Sequence, residues 1–195
     1  MTDAAASTAN ASGSSWDTRS VVQIFNGLGA LTVFGVVFGA YGFQFILLEP
    51  PCPLCLLIRL GMIGVGFGLA LNVLFGPHVL HYGLALLAAM FGALASLRQV
   101  MLHIVPGTGS YGDPAFGMHL YTWAFIVFVT ITLAIAVVLF FQDQFKPASG
   151  PVPSAVRWMA IIVMAAGLFL AGANVITTLL ECGVGACPDD PTTFL

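Results

Sequence analysis

Charge is what this sequence has least of. Of its 195 residues, 7% are Asp, Glu, Lys or Arg, where a soluble globular domain carries roughly 25%. A chain that is 59% hydrophobic, with a mean hydropathy of +1.01, cannot cover itself with polar surface. Its solvent is predicted to be lipid over most of its length. The net charge is -3 and no basic cluster occurs, so no nucleic-acid partner is expected. No basic n-region opens the chain, and the first apolar run is too long for the core of a secretory signal, so that run is expected to stay as a membrane span. There is no haem-attachment, nucleotide-loop or dinucleotide fingerprint, and the glycine-rich stretch 107–117 lacks the Lys-Ser/Thr of a phosphate loop. Cysteine is scarce too. The four present fall into two close pairs, Cys52 with Cys55 and Cys182 with Cys187.

What is there is mostly long apolar runs. A spanning helix needs about 20 largely apolar residues, and five segments qualify: 21–48, 54–75, 79–97, 120–141 and 158–180. None alternates as a strand would, so the fold class expected is an all-α integral membrane protein, a four-helix transmembrane bundle plus a fifth transmembrane helix. The short connectors 49–53 and 76–78 make neighbouring helices antiparallel. Residues 1–20, rich in Ala, Ser, Thr and Gly, read as a disordered cytoplasmic tail, and 182–195 as a short redox tail. Gly35 with Gly39, and Gly64 with Gly68, are read as close packing within the bundle rather than as a dimerisation face.

Span counting places the cysteines. One pair follows one span and the other follows five, so both lie on the same face, opposite the N-terminus. Arg19, Lys146 and Arg157 lie on the N-terminal side, against Arg59 and Arg98 on the other. By the positive-inside rule the N-terminus is cytoplasmic. The cysteines then face the periplasm or exterior, where disulfides persist.

In Cys52-Pro53-Leu54-Cys55, Pro53 suits the first turn of a helix, where its missing N–H costs nothing. Cys55 then sits in that first turn, where free N–H groups and the helix dipole favour a thiolate. Arg59 is one turn on and on the same face. An arginine just inside a span is costly without a partner, and anchoring at the headgroups is its alternative role. Cys182 and Cys187 follow the fifth span, separated by a segment with two glycines. A static staple closing so small a loop stabilises little. Two pairs on one face suggest a relay by thiol–disulfide exchange, with a lipid-soluble quinone as its natural acceptor.

Pro51-Cys52-Pro53-Leu54-Cys55 with Arg59 resembles the first-loop redox motif of the disulfide bond formation protein B (DsbB) family. Arg98-Gln99, Met101, His103 and Pro106 resemble the end of that family's third span. The resemblance covers roughly residues 25–142. It implies an enzyme of a bacterial inner membrane that reoxidises a DsbA-like thioredoxin-fold protein and reduces ubiquinone or menaquinone. It implies that Cys52 and Cys55 form the quinone-coupled disulfide, that Cys55 meets the quinone and that Arg59 hydrogen-bonds it. Gln99, Met101 and Arg98 become further candidates for the quinone pocket. One departure is plain. The family keeps its second cysteine pair between spans three and four, and here that loop has no cysteine. Cys182 and Cys187 stand in for it, with Cys187 leaning towards the soluble partner and Cys182 towards Cys52.

Other readings compete. The same relay could run backwards as a disulfide reductant. Four thiolates at these spacings could hold zinc in a membrane scaffold. A transporter with incidental cysteines is a third, weakened by the near absence of ionisable residues in the spans. His78 and His81 are expected at the interface on the N-terminal side. His103 and His119 lie on the cysteine side, as interfacial residues or as a proton relay. Tyr121, Trp123 and Trp158 fit an aromatic belt.

Overall fold

The computed structural model describes residues 17–47, 51–105, 107, 109, 114–146 and 151–187. Most of the tail 1–20, much of the loop 107–117 and residues 188–195 lie outside them. Five long helices carry the fold: α1 (Thr18–Leu47), α2 (Pro53–Phe75), α3 (Val79–His103), α4 (Leu120–Leu139) and α5 (Ser154–Cys182). All five are long and apolar enough to cross a membrane, and the chain is a multi-pass membrane protein. The expected spans recur with small shifts at their ends. The largest shift is in α3, which runs to His103 rather than stopping at Leu97. Arg98 ends the apolar run, but no glycine or proline ends the helix until Pro106. The extension puts Gln99 on a helix face.

Each connection has a local cause. Cys52 is the N-cap of α2, with Pro53 at its first position. Gly76 ends α2 at φ 93°, a backbone conformation that side chains with a Cβ rarely adopt. His78 then caps α3 by accepting the Leu80 N–H on its ring nitrogen at 3.2 Å. His81 pairs with Asn72 at 3.0 Å. A buried set of polar groups follows: Asn72 donates to Asn26, Asn26 to the Tyr82 hydroxyl, and Tyr82 to Gln144. Such groups are costly in lipid unless paired. Here they tie α1, α2, α3 and the 3₁₀ turn Gln142–Phe145 together at the end opposite the cysteines.

Helix α2 is central, packed against α1, α3 and α5. It meets α3 through small residues. A Cβ built on Gly68 would lie 2.7 Å from the Ala85 Cβ, and one on Gly64 2.8 Å from the Ala88 Cβ. That pair is close packing, as expected. Gly35 and Gly39 are not: nothing lies within 4 Å of a Cβ at either position. The fifth helix is no peripheral addition. Val156 and Ala160 of α5 cluster with Val73, and Asn174 Nδ2 donates to the Leu56 carbonyl at 3.5 Å. α5 therefore runs antiparallel to α2 and ends at its cysteine end. α4 packs chiefly on α3, so α1 and α4 face each other across a groove.

Candidate redox site

Cys52 and Cys55 are joined as a disulfide at the head of α2, with Cα atoms 5.0 Å apart. The N-cap position of Cys52 makes this possible. Its sulfur accepts the Cys55 backbone N–H at 3.1 Å, using one of the amide groups that every helix start leaves unpaired. Cys52 is buried, while Cys55 is half-buried and lines the groove. Gln99 arrives from α3 and is itself buried. Its side-chain amide lies 3.0 Å from the Cys52 sulfur and 3.6 Å from the Cys55 sulfur. Amide hydrogens from α2 and α3 thus converge on the sulfur atoms that would carry charge if the disulfide opened.

One turn deeper is Arg59, buried like Cys52 above it. Its Nη1 donates to Gln44 Oε1 at 2.6 Å and its Nη2 to the Ala40 carbonyl at 3.2 Å. The guanidinium lies 4.5 Å from the centre of the Tyr41 ring. Three residues of α1 therefore hold an arginine of α2 inside the bundle, which is not how a headgroup anchor sits. Charge-assisted bonds and a cation–π contact offset its desolvation. The groove of about 320 Å³ between α1 and α4 has Arg59, Gln44 and Cys55 in its wall, and is otherwise mostly apolar, with Val37, Met62 and Val127 among its residues. An apolar cleft with a few convergent polar groups is the usual form of a small-molecule site. This lining fits a quinone: apolar walls for ring and tail, a guanidinium for a carbonyl oxygen, and a sulfur beside them.

At the end of α5, Cys182 and Cys187 form the second disulfide, with Cα atoms 4.3 Å apart. Gly183 closes the helix and its N–H bonds back to the Leu179 carbonyl at 2.9 Å. Cys182 is 8% exposed, and Cys187 is the more open of the two. The four sulfurs thus fall into two separate disulfides. Among the described residues, no group of three His, Cys, Asp or Glu is placed to hold an ion. Beside Cys182, Glu181 is 2% exposed, and neither carboxylate oxygen has a hydrogen-bond partner among the described residues.

The other predicted residues divide. Gln99 meets the disulfide, but Arg98 is exposed and Met101 is 62% exposed, and neither lines the groove. Successive residues on a helix point about 100° apart, so the neighbours of an inward residue face out. Tyr121 is a correction. It was expected in the aromatic belt, but it is buried, lines the groove, stacks with His119 at 5.2 Å and meets the His103 ring at a tilt at 5.6 Å. Trp123 also lines the groove and donates to the Ala115 carbonyl at 2.9 Å. Trp158 is 65% exposed, as a belt residue is. Gln44, Tyr41 and Glu181 were not singled out from sequence. The signal available was a polar side chain inside an otherwise apolar run.

Comparison with known proteins points the same way. Residues 23–112 match the family model of disulfide bond formation protein DsbB. A protein of Chromobacterium violaceum named disulfide bond formation protein B is 41% identical over 93 residues, covering 44% of this chain and 56% of the relative. The chain thus spans little more than half the length of that relative. No solved structure matches. The matched segment contains the Cys52–Cys55 disulfide, Arg59, Gln44 and Gln99, and stops short of α4 and α5. Over residues 23–112, the chain is similar to the DsbB family.

Proposed function

We propose that this protein is a membrane thiol:disulfide oxidoreductase that reoxidises a DsbA-like thioredoxin-fold partner and delivers the electrons to ubiquinone or menaquinone. The observation that carries the reading is the Cys52–Cys55 disulfide at the wall of an apolar groove, with Arg59 one turn below it in the same wall. A bound quinone supplies a two-electron, two-proton acceptor. Arg59, Gln44 and Cys55 are the residues that hold it, with Tyr121 and Trp123 at the groove's outer end.

The chain's own residues then do the following. A thiolate of the reduced partner attacks Cys187, the more open sulfur, and Cys182 leaves as a thiolate. The partner's second thiol displaces Cys187, and the partner departs oxidised. Cys182 attacks Cys52, both sulfurs being buried, and Cys55 leaves as a thiolate facing Arg59. Cys187 resolves that mixed disulfide, which restores the Cys182–Cys187 bond and leaves Cys52 and Cys55 reduced. The net change is one partner dithiol oxidised and two electrons with two protons handed on. The Gln99 amide and the first-turn N–H groups stabilise the sulfur anions in these steps.

The cysteine end is assigned to the periplasm of a bacterial inner membrane. Arg19, Lys146 and Arg157 at the other end support that orientation. The test is quinone reduction by a reduced partner in lipid nanodiscs. Cys52→Ser and Cys55→Ser should each abolish it, and turnover persisting in both would end the reading.

A further inference from the structure

Glu181 has no task in that relay, yet it is an expensive residue to bury. It lies at the membrane edge of α5, 2% exposed, with both carboxylate oxygens unpaired among the described residues. It does not sit alone. Asn174, Thr177 and Glu181 fall on one face of α5, and all three are buried. Asn174 Oδ1 is also without a hydrogen-bond partner among the described residues. Asn174 is fixed in height by its bond to the Leu56 carbonyl. Glu181 is seven residues further out, ~10 Å along the helix axis. Arg59 is three residues deeper on the antiparallel α2. Helix side chains lean towards their own N-termini. Arg59 therefore leans outwards to the cysteine end, and Glu181 leans inwards. The two charged ends therefore lean towards each other along the α2–α5 contact.

We infer that Glu181 is the proton station of the Cys52/Cys55 couple: it takes up the proton released when that disulfide is reduced. Cys55 then stands as a thiolate beside Arg59 without adding net charge to a buried site. The inference rests on the redox role proposed above. With the disulfide closed, Arg59 and the Glu181 carboxylate balance each other. Reduction by a dithiol breaks the Cys52–Cys55 bond and forms the dithiol's own disulfide, moving two electrons. Of the dithiol's two protons, one goes to Cys52 as a thiol and one to Glu181, while Cys55 keeps the negative charge. Charge at the site is unchanged, and both protons remain for a two-electron, two-proton acceptor. The other titratable groups facing this position are few. From α2 there are Arg59 and the cysteines themselves. From α1 there is Tyr41, whose hydroxyl has no partner among the described residues. His103 and His119 pack against the Tyr121 ring instead. α5 lies outside the segment shared with the family model, so the acid is supplied by the fifth helix.

The experiment needs neither quinone nor protein partner. The full-length protein is equilibrated with glutathione buffers across the neutral pH range, and the Cys52/Cys55 peptide is read by differential alkylation and mass spectrometry. Glutathione gives up two protons with its two electrons. If Glu181 keeps one of them, the equilibrium constant is flat with pH. In Glu181→Gln that proton is released, and the constant rises about tenfold per pH unit. Glu181→Asp, which keeps the acid, should stay nearly flat. Equal slopes in the native protein and Glu181→Gln would overturn the inference and leave the relay standing. A disulfide that glutathione cannot reversibly reduce would overturn both.

Discussion

The side-chain amide of Gln99 meets the Cys52 sulfur at 3.0 Å, joining α3 to the head of α2 across 47 residues of sequence. Together with the Cys55 backbone N–H at 3.1 Å it directs two donors at one buried sulfur. A buried sulfur anion without donors is costly, and a hydrogen bond to a charged group contributes about 1.5–3 kcal/mol.

Gln99→Leu should therefore slow alkylation of the reduced Cys52/Cys55 pair by about tenfold at neutral pH. The fold should survive, since leucine suits an apolar bundle. Timed iodoacetamide labelling, resolved by peptide, measures it. An unchanged labelling rate would mean the amide contributes only packing.

Arg59 depends on Gln44 in a similar way. Gln44→Leu removes the 2.6 Å partner of a buried guanidinium, and the loss should be about 2 kcal/mol of stability in detergent unfolding. Gln44→Glu separates holding from charge. The carboxylate keeps Arg59 in place, so stability is retained, but it neutralises the guanidinium, so Cys55 should label more slowly than in the native protein. Restored labelling in Gln44→Glu would show that Arg59 acts by position alone.

The spans were legible in the sequence because apolar length is a one-dimensional property, and the disulfide with Arg59 was legible because helix geometry makes them local neighbours. What lay beyond reach came from other helices. Gln44 and Glu181 approach the site by packing, which no local pattern encodes, and Gln99 came into view only through the family resemblance. Arg98 and Met101 were drawn in by their closeness to Gln99 in sequence, and the helix turns them outwards. Tyr121 was misread because a belt tyrosine and a groove tyrosine occupy the same depth at a span end. Only its facing differs. The fifth helix was seen as an addition because four spans completed a familiar bundle, whereas α5 is packed against α1 and α2.

The glycines offer a contrast within the same fold. Gly39 lines the groove and has open space where a Cβ would be, while a Cβ on Gly68 would press on Ala85 of α3, with backbone atoms 2.8 and 2.9 Å away. Gly39→Ala should be neutral or stabilising by up to about 1 kcal/mol, since glycine is a poor helix former. Gly68→Ala should cost about 1–3 kcal/mol from overpacking. Gly39→Phe fills the groove without straining the helix, and should raise the KM for quinone at least about tenfold. Thermal unfolding and quinone titration read the two effects separately. A Gly39→Phe protein with unaltered KM would move the acceptor to another surface.

Burial orders the outer pair. Cys182 is 8% exposed at the last turn of α5, and Cys187 lies beyond Gly183 and Gly185 in the more open position. A soluble protein can bring its sulfur to Cys187, but reaching Cys182 requires opening the end of the helix. Cys182→Ser should accordingly accumulate a mixed disulfide between Cys187 and a thioredoxin-fold partner that keeps a single reactive cysteine. In Cys187→Ser the same mixture should yield little adduct, because the remaining thiol is buried. Non-reducing electrophoresis counts the adduct, and peptide mapping locates its bond. A bond found on Cys182 would reverse the order of the relay and require the end of α5 to open in each turnover. Hydrogen exchange at 179–183 would then have to be fast, against the protection expected of a helix end closed by the Gly183 to Leu179 bond.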